Sequence, residues 1–214
     1  KCPYHSWTYN LNGHLISTPH IGGMNKHKHK NFDKSSSGLK EVRSHVWLDM
    51  IFVNISNKAE SFSEYIKPLN KRWSKFWSDK DKKLIRRPKD YGYFVLKTKT
   101  NWKLAVENFC ESYHLPWVHP ELNIISKLED HYNIQKKNEF SGQGSYVYRQ
   151  IEDKGKVFYD FDGLSSKWNE GAEYIAVYPN VLLGVHRDHI FSIILEPVNK
   201  EFTREHVAIF YAKK

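Results

Sequence analysis

The sequence has 214 residues, of which 40% are hydrophobic and 15% aromatic, and its formal net charge is +9. This composition supports a packed core and excludes global disorder, and no apolar run approaches the ~18 residues that a membrane span requires. The two cysteines, Cys2 and Cys110, exclude a disulfide framework and fit a reducing compartment. We therefore expect a cytoplasmic protein that does not enter the membrane.

Positive charge is concentrated in two stretches, residues 25–30 and 80–89. Neither stretch has the interleaved aromatic residues of an RNA-binding pattern, and no helix-turn-helix or zinc-finger spacing accompanies them. We therefore expect no nucleic-acid partner. The stretches are interpreted as solvated loops, and the alternative is a docking face for an acidic redox protein.

The first 60 residues are predicted to be mainly β-structure. A hairpin turn is indicated by Asn12-Gly13, a loop rich in Gly, Ser, Lys and His covers residues 19–38, and residues 42–55 read as a strand. Helical spacing begins at Phe62, so the domain boundary is placed near residue 60, which gives domains of residues 1–60 and 61–214.

The second domain is predicted to be a few helices on an antiparallel sheet, which is the α+β class. Residues 91–99 have strand character and precede a helix. Five further strands are predicted at residues 145–151, 173–178, 181–186, 189–196 and 204–211.

The helix between these strands is predicted over residues 101–114, with Asn101 as its N-cap. One stripe of this helix is apolar and contains Trp102, Val106, Phe109 and Tyr113. A second stripe contains Glu107, Glu111 and His114 and is flanked by Leu104 and Leu115. We therefore expect the second stripe to point inward, where carboxylates need a partner or a metal.

Two histidines, His114 and His119, lie on either side of Pro116. Proline interrupts a helix, so a bend at Pro116 is predicted to let both imidazoles converge on one point. Two imidazoles with one carboxylate suit a mononuclear iron with open positions. The alternative is two unrelated polar histidines.

The chain opens on a second candidate site, Cys2-x-x-His5, a thiolate and an imidazole that suit half of an iron–sulfur cluster. A structural zinc half-site and a chance pair are the alternatives. Cys110 is interpreted as a small buried apolar residue.

Two motifs resemble those of one known family. Cys2-Pro-Tyr-His5-Ser-Trp-Thr-Tyr with Gly13 resembles the second ligand box of a Rieske [2Fe–2S] domain. The segment over residues 101–119, NWKLAVENFCESYHLPWVH, resembles the iron box of the Rieske-type, or aromatic-ring-hydroxylating, oxygenase α subunits. The resemblance covers essentially the whole chain. It implies the C-terminal part of an all-β Rieske domain, followed by a helix-grip, START-like catalytic domain.

The resemblance also implies site residues. Cys2 and His5 match cluster ligands, and the first Cys-x-His pair is expected upstream of an internal fragment. His114 and His119 match the iron ligands, and the third ligand, an aspartate, is expected beyond Lys214. The catalytic candidates in the iron box are Glu111 and Asn108, and Glu111 occupies the position that links the iron to the cluster of a neighbouring subunit.

The activity implied is hydroxylation of a small organic substrate, an aromatic ring or an N-methylated amine that is oxidatively demethylated. It uses O2, mononuclear Fe(II) and electrons from NAD(P)H, which arrive through a reductase, with or without a ferredoxin. The resemblance implies a homotrimer, with or without a β subunit, and glutamate at position 111 favours the monooxygenase and demethylase-like branches.

The substrate pocket is expected to be lined by Tyr146, Tyr148, Tyr178, Leu183 and Phe191. Two alternatives remain: a non-enzymatic START-like protein that binds hydrophobic ligands, and a zinc-bound scaffold.

Overall fold

The computed structural model describes residues 1–76, 92–150, 152 and 154–212, and the backbone of residues 85–86. The chain divides into two compact units, Lys1–Glu64 and Tyr65–Lys214. No helix in these described parts is both long and apolar enough to cross a membrane.

The first unit consists of two β-hairpins and the loop between them. The elements are β1 (Thr8–Tyr9), β2 (Leu15–Ser17), a 3-10 turn (Ser35–Ser37), β3 (Arg43–Trp47) and β4 (Met50–Asn54). The single strand predicted over residues 42–55 is therefore wrong. The chain turns at Leu48 and Asp49, whose φ angles are 47° and 58°, and β3 and β4 pair in antiparallel fashion. The assignment of this unit to a Rieske domain stays a prediction.

An aromatic cluster forms the interior of the first unit. The ring of Phe62 lies 4.3 Å from that of Phe52 and 4.8 Å from that of His45, measured between centroids, and the Trp47 ring lies beside both phenylalanines. The helical spacing predicted from Phe62 onward is confirmed, because α1 covers Phe62–Arg72.

The described residues of the second unit form one eight-stranded antiparallel sheet with helices on it, so the predicted combination of helices with an antiparallel sheet is confirmed. The strand order is β5-β12-β11-β10-β9-β8-β7, and β6 also pairs with β12. The strands are β5 (Ile85–Arg86), β6 (Tyr93–Thr98), β7 (His131–Lys136), β8 (Phe140–Ser145), β9 (Ala172–Val177), β10 (Val181–Val185), β11 (His189–Asn199) and β12 (Phe202–Ala212). The helices are α2 (Trp102–Cys110), α3 (Leu115–Val118), α4 (Pro120–Ile125) and α5 (Ser166–Glu170), with a 3-10 turn at Leu128–Asp130.

A second strand prediction also fails. Residues 146–150 lie outside the sheet, and the strand predicted there is replaced by the hairpin of β7 and β8. The sequence of β8 is dominated by small and polar residues because its neighbours lie very close. A Cβ at Gly142 would lie 2.0 Å from the main-chain oxygen of Tyr174, and one at Gly144 would lie 2.4 Å from the Tyr132 ring. Glycine is therefore required by packing at positions where a strand pattern would show larger residues.

One face of the sheet carries α2. Trp102, Val106 and Phe109 pack against a buried cluster of Ala176, Leu182 and Leu195. The apolar stripe predicted for this helix is confirmed for those three residues. Its fourth member, Tyr113, lies beyond the end of α2 and is 75% exposed.

The opposite face of the sheet holds a buried carboxylate, Glu173, which is 0% exposed. It accepts hydrogen bonds from Arg72 Nε and Nη2, from Trp73 Nε1 and from the Tyr132 hydroxyl, each 2.7 Å long. Lys167 Nζ lies 3.7 Å from the same group. Burial, followed by the charge of Glu173, raises the pKa of Tyr132, so this phenol stays a donor. The carboxylate joins the C-terminal end of α1 to β7, β9 and α5.

Replacement of Glu173 by glutamine should destabilise the protein by on the order of 3 kcal/mol, because it leaves the Arg72 guanidinium without its buried counter-charge. The free energy of unfolding in urea measures this. Glu196→Gln is the matched control, because Glu196 pairs with Arg204 and His206 at an exposed position and should hardly move the midpoint. Equal midpoints of urea unfolding for the two variants would contradict the stabilising role of Glu173.

Candidate metal centre

The helix that carries the iron box is shorter than predicted. Its N-cap is Asn101, as expected, and the Asn101 side chain accepts a 3.0 Å hydrogen bond from the main-chain N–H of Lys103. The helix ends at Cys110, not at His114, because Glu111 is extended, with φ −123° and ψ 158°.

The side chain of Glu111 explains where the helix ends. Its Oε2 accepts hydrogen bonds from the main-chain N–H groups of Tyr113 and His114, the second at 3.3 Å. A carboxylate that accepts hydrogen bonds from the main-chain N–H groups of the next residues competes with the hydrogen bonds that would continue the helix. Pro116 does not make the bend that was predicted for it. It lies in the first turn of α3, where proline is tolerated because its missing N–H would have no helical partner.

The predicted inward stripe is also wrong in part. Glu107 and Leu104 face solvent, and Leu104 is 56% exposed. His114 turns inward, because the chain leaves the helix after Cys110, and so does the flanking Leu115, which is 3% exposed. The Glu111 side chain is 43% exposed and that of His114 is 17% exposed.

Glu111 and His114 are in direct contact, with Oε1 of the carboxylate against Nδ1 of the imidazole. A carboxylate oxygen can only accept, so the hydrogen lies on Nδ1, and in the neutral ring Nε2 then keeps a free lone pair. Asn108 Nδ2 lies 3.2 Å from the same Nδ1, and its N–H cannot donate to a ring nitrogen that carries a hydrogen. The Asn108 amide can therefore share that hydrogen only with its oxygen turned to this position. Glu111 thus fixes which nitrogen of His114 is available to a ligand.

The two histidines of the iron box lie together. The rings of His114 and His119 have centroids 5.3 Å apart and an interplanar angle of 76°. His119 ends α3 and precedes α4, with φ −128° and ψ 60°, so the short helix turns the chain back on itself. The two imidazoles were predicted to converge, and they do. The cause is the end of the helix before Glu111 and the turn of α3, not a bend at Pro116.

Both histidines line a cavity of about 170 Å³ between α2–α4 and the sheet. Its lining consists of Asn108, Phe109, His114, Leu115, His119, Leu122, Ser126, His131, Gln143, Tyr174 and Phe191. Of the five residues predicted to line the pocket, Phe191 does so, and the other four are not part of the lining. Tyr146 is 60% exposed, Leu183 is buried in the core, and the Tyr178 hydroxyl bonds Ser141.

Besides Ser126, two polar residues of the cavity wall were missed by the sequence analysis, His131 and Gln143. Gln143 Nε2 donates to the main-chain oxygen of Glu111 at 3.0 Å, and its Oε1 lies 2.6 Å from His131 Nδ1. His131 Nε2 lies 3.0 Å from the Ser126 hydroxyl. These contacts hold the extended residue Glu111 against β8. Both residues lie on β7 and β8, the hairpin that the hydrophobic pattern did not indicate.

The donor set fits part of a mononuclear iron site. Two imidazoles face one cavity, and the tautomer of His114 is fixed by a carboxylate, an arrangement that is common for metal-bound histidine. Among the residues that the structure describes, no three His, Cys, Asp or Glu side chains come close enough together to hold a metal ion. The described residues thus offer two imidazoles to such a site, and the assignment of His114 and His119 as iron ligands stays a prediction.

In the first unit, Cys2 and His5 lie on one tight turn. The main-chain N–H of Ser6 donates to the oxygen of Cys2 at 2.9 Å, and the N–H of Cys2 donates to the oxygen of Trp7 at 2.7 Å. Ser6 has a φ of 58°, and the His5 ring is exposed at the tip of the turn beside Tyr4. A short turn that presents a thiol and an imidazole fits half of a cluster site.

Comparison with known proteins gives a consistent result. Residues 85–214 match the family model of the ring hydroxylating alpha subunit (catalytic domain). The carnitine monooxygenase oxygenase subunit of Acinetobacter pittii is 28% identical over 141 residues, which are 64% of this chain and 34% of that protein. The glycine betaine monooxygenase oxygenase subunit of Pseudomonas aeruginosa is 27% identical over 121 residues, 56% of this chain and 25% of that protein. The chain thus spans about a third or less of these relatives.

Solved structures show the same fold. A quaternary ammonium Rieske monooxygenase superposes with a TM-score of 0.71 at 21% identity, covering 98% of this chain and 52% of that one. Naphthalene 1,2-dioxygenase from Rhodococcus sp. superposes with a TM-score of 0.64 at 16% identity, covering 100% of this chain and 54% of that one. The large antiparallel sheet with its helices is therefore the architecture of these catalytic domains.

Proposed function

The chain belongs to the family of ring hydroxylating alpha subunits, and from that membership we propose that the protein is the oxygenase component of a Rieske-type oxygenase. It uses O2 and electrons relayed through a [2Fe–2S] cluster to a mononuclear Fe(II), and it hydroxylates a small organic substrate. The observation that carries this proposal is the cavity into which His114 and His119 converge, with Glu111 bonded to His114.

His114 and His119 are the proposed iron ligands. When bound, the iron would activate O2 with electrons from NAD(P)H that arrive through a reductase and the cluster. The protein itself fixes the positions of the two imidazoles before the metal binds. Glu111 keeps the hydrogen of His114 on Nδ1, and Gln143 holds the main chain of Glu111 in place. Such preorganisation reduces the conformational cost of assembling a metal site.

Glu111 is proposed to connect this site to a cluster histidine, the counterpart of His5, on a neighbouring protomer of a trimer. Two observations support the role. Its carboxylate bonds a proposed iron ligand, and it is still 43% exposed. An exposed carboxylate can accept a second imidazole N–H from outside the unit, whereas a buried one could not.

Cys2 and His5 are the proposed cluster ligands of this chain, in a first domain that is the end of a Rieske domain. The tight turn between Cys2 and Trp7 supports this assignment, since it presents both side chains together. The reductase, a ferredoxin where one is used, and a β subunit are proposed partners on the family pattern alone.

The proposed substrate is an N-methylated amine or a single aromatic ring. The cavity wall is suited to both, because Phe109, Tyr174 and Phe191 present aromatic rings, which pack against an aromatic substrate and attract an alkylated ammonium group. The relatives named for carnitine and glycine betaine, together with glutamate at position 111, favour the amine. Membership of the oxygenase family favours an enzyme over the ligand-binding alternative.

The iron ligands can be tested by metal content. His114→Ala or His119→Ala in the holoenzyme should abolish mononuclear iron binding and turnover and leave the visible spectrum of the cluster intact, because the two metals use separate side chains. His20→Ala, at an exposed loop histidine, is the control and should retain its iron. Wild-type iron content in both site variants would show that the assignment is wrong.

The connecting role of Glu111 predicts a different result. Glu111→Gln keeps the size of the side chain but removes the charge that holds an imidazole N–H, so iron content and cluster spectrum should stay near normal. Oxidation of the reduced cluster on mixing with substrate and O2 should slow by about 10- to 100-fold, which is the range for loss of an outer-shell partner. Glu107→Gln, four residues away and exposed, is the control. Single-turnover rates equal to wild type in Glu111→Gln would rule out the connection.

A further inference from the structure

One buried histidine has no role in the proposed site. His186 is 3% exposed, and among the described residues neither Nδ1 nor Nε2 has a hydrogen-bond partner. The buried carboxylate nearby in sequence, Asp188, is bound by His189 Nδ1 and by Gln150 Nε2, each at 2.7 Å. A buried imidazole without a partner is costly, so a folded protein retains one where a water, an ion or a ligand bonds it.

The position of His186 relates it to the cavity. Paired residues of an antiparallel sheet share a face, and Tyr174, Gly184 and Phe191 form one row across β9, β10 and β11. His186 lies two residues beyond Gly184, so its side chain points to the same face. Its main-chain N–H donates to the oxygen of His189 at 2.9 Å, which continues the pairing by one more row.

The cavity wall next to His186 consists of Tyr174 and Phe191. Their ring centroids lie 5.3 and 6.0 Å from that of His186. The Phe191 ring lies over Gly184, because a Cβ at that glycine would lie 2.1 Å from Phe191 Cε1. His186 thus lies next to the two aromatic rings of the wall, and one of these rings, that of Phe191, rests on a glycine.

The surroundings of His186 define what it can bind. Burial, followed by the nearby His189, lowers the pKa of its imidazole well below the ordinary value, so the ring is neutral with one N–H and one lone pair. A hydroxyl both donates and accepts, so it matches either nitrogen. A carboxylate would bring a second anion close to Asp188, and an ammonium would lose its solvation among the rings of Tyr148 and Tyr174.

We propose that His186 is a polar subsite of the substrate cavity, which binds a hydroxyl group of the substrate once the Phe191 ring swings away from Gly184. This inference rests on the proposed function, since it assumes that the cavity holds the substrate. A cavity of about 170 Å³ accommodates one aromatic ring. In this proposal, rotation of Phe191 would add the space beside His186.

The test compares probes that differ in a hydroxyl alone. Calorimetry on the full chain measures phenol against toluene, and choline against propyltrimethylammonium. In wild type we expect the hydroxyl compound of at least one pair to bind about tenfold more tightly than its partner, as one well-made hydrogen bond allows. Histidine ¹⁵N resonances should show a shift of the His186 nitrogens with that compound and not with its isostere.

Variants separate recognition from a structural role. His186→Phe should abolish the preference for the hydroxyl compound and leave the affinity for its isostere unchanged. It should also raise Tm, because it removes an unpaired buried imidazole. Phe191→Leu should strengthen the preference by opening the way to His186. His206→Phe is the control, since that ring bonds Glu196 and Tyr93 and does not line the cavity, and it should keep the preference.

The outcomes also distinguish the subsite from the proposed function. If hydroxyl and isostere bind equally in wild type, or the preference survives His186→Phe, the subsite is refuted while the substrate cavity stands. A Tm that falls in His186→Phe with no change in probe binding would show a structural imidazole held by water. If neither pair binds at all, the cavity is not a substrate site, and both proposals are overturned.

Discussion

The buried carboxylate of Glu173 is the constraint on which the second unit depends. It accepts hydrogen bonds from Arg72, Trp73 and Tyr132 on one face of the sheet. Because side chains of a strand alternate, a carboxylate fixed on that face places Tyr174 on the other, against the cavity. A slip of one residue would put the charge under α2 and remove the aromatic wall. The ionic cluster thus sets the register of the strand that builds the site.

The site itself depends on a helix that stops early. A continuous helix through residue 114 would hold Glu111 and His114 on its surface, and the two histidines would diverge. Glu111 instead binds the N–H groups that follow it, and α3 carries the chain from His114 to His119 in one turn. The same carboxylate orients the imidazole of His114. One side chain therefore ends the helix and sets the tautomer of the proposed metal ligand.

The sequence predicts the parts of this arrangement that depend on periodicity. The apolar stripe with Trp102 and Phe109 is visible because a helix that packs on a sheet requires an apolar side. His114 and His119 are visible because imidazole is a side chain that can bind a mononuclear iron. The sequence places the break in the helix at Pro116, because proline is a helix breaker that can be recognised from sequence. The observed break depends on hydrogen bonds from main-chain N–H groups to the Glu111 carboxylate, and these bonds depend on local backbone geometry. The β7–β8 hairpin was missed because Gly142 and its neighbours are small to make room for residues distant in sequence.

The central claim is that Glu111 fixes the hydrogen of His114 on Nδ1 and leaves Nε2 to the metal. Proton NMR of the protein with Co(II) at the mononuclear site tests it directly, because N–H protons of metal-bound imidazoles are strongly shifted. We predict a shifted Nδ1–H resonance of His114, absent in His114→Ala, that exchanges slowly with solvent and becomes fast-exchanging in Glu111→Gln. A Co(II) spectrum without a shifted histidine N–H, or one that Glu111→Gln leaves unchanged, would contradict the account.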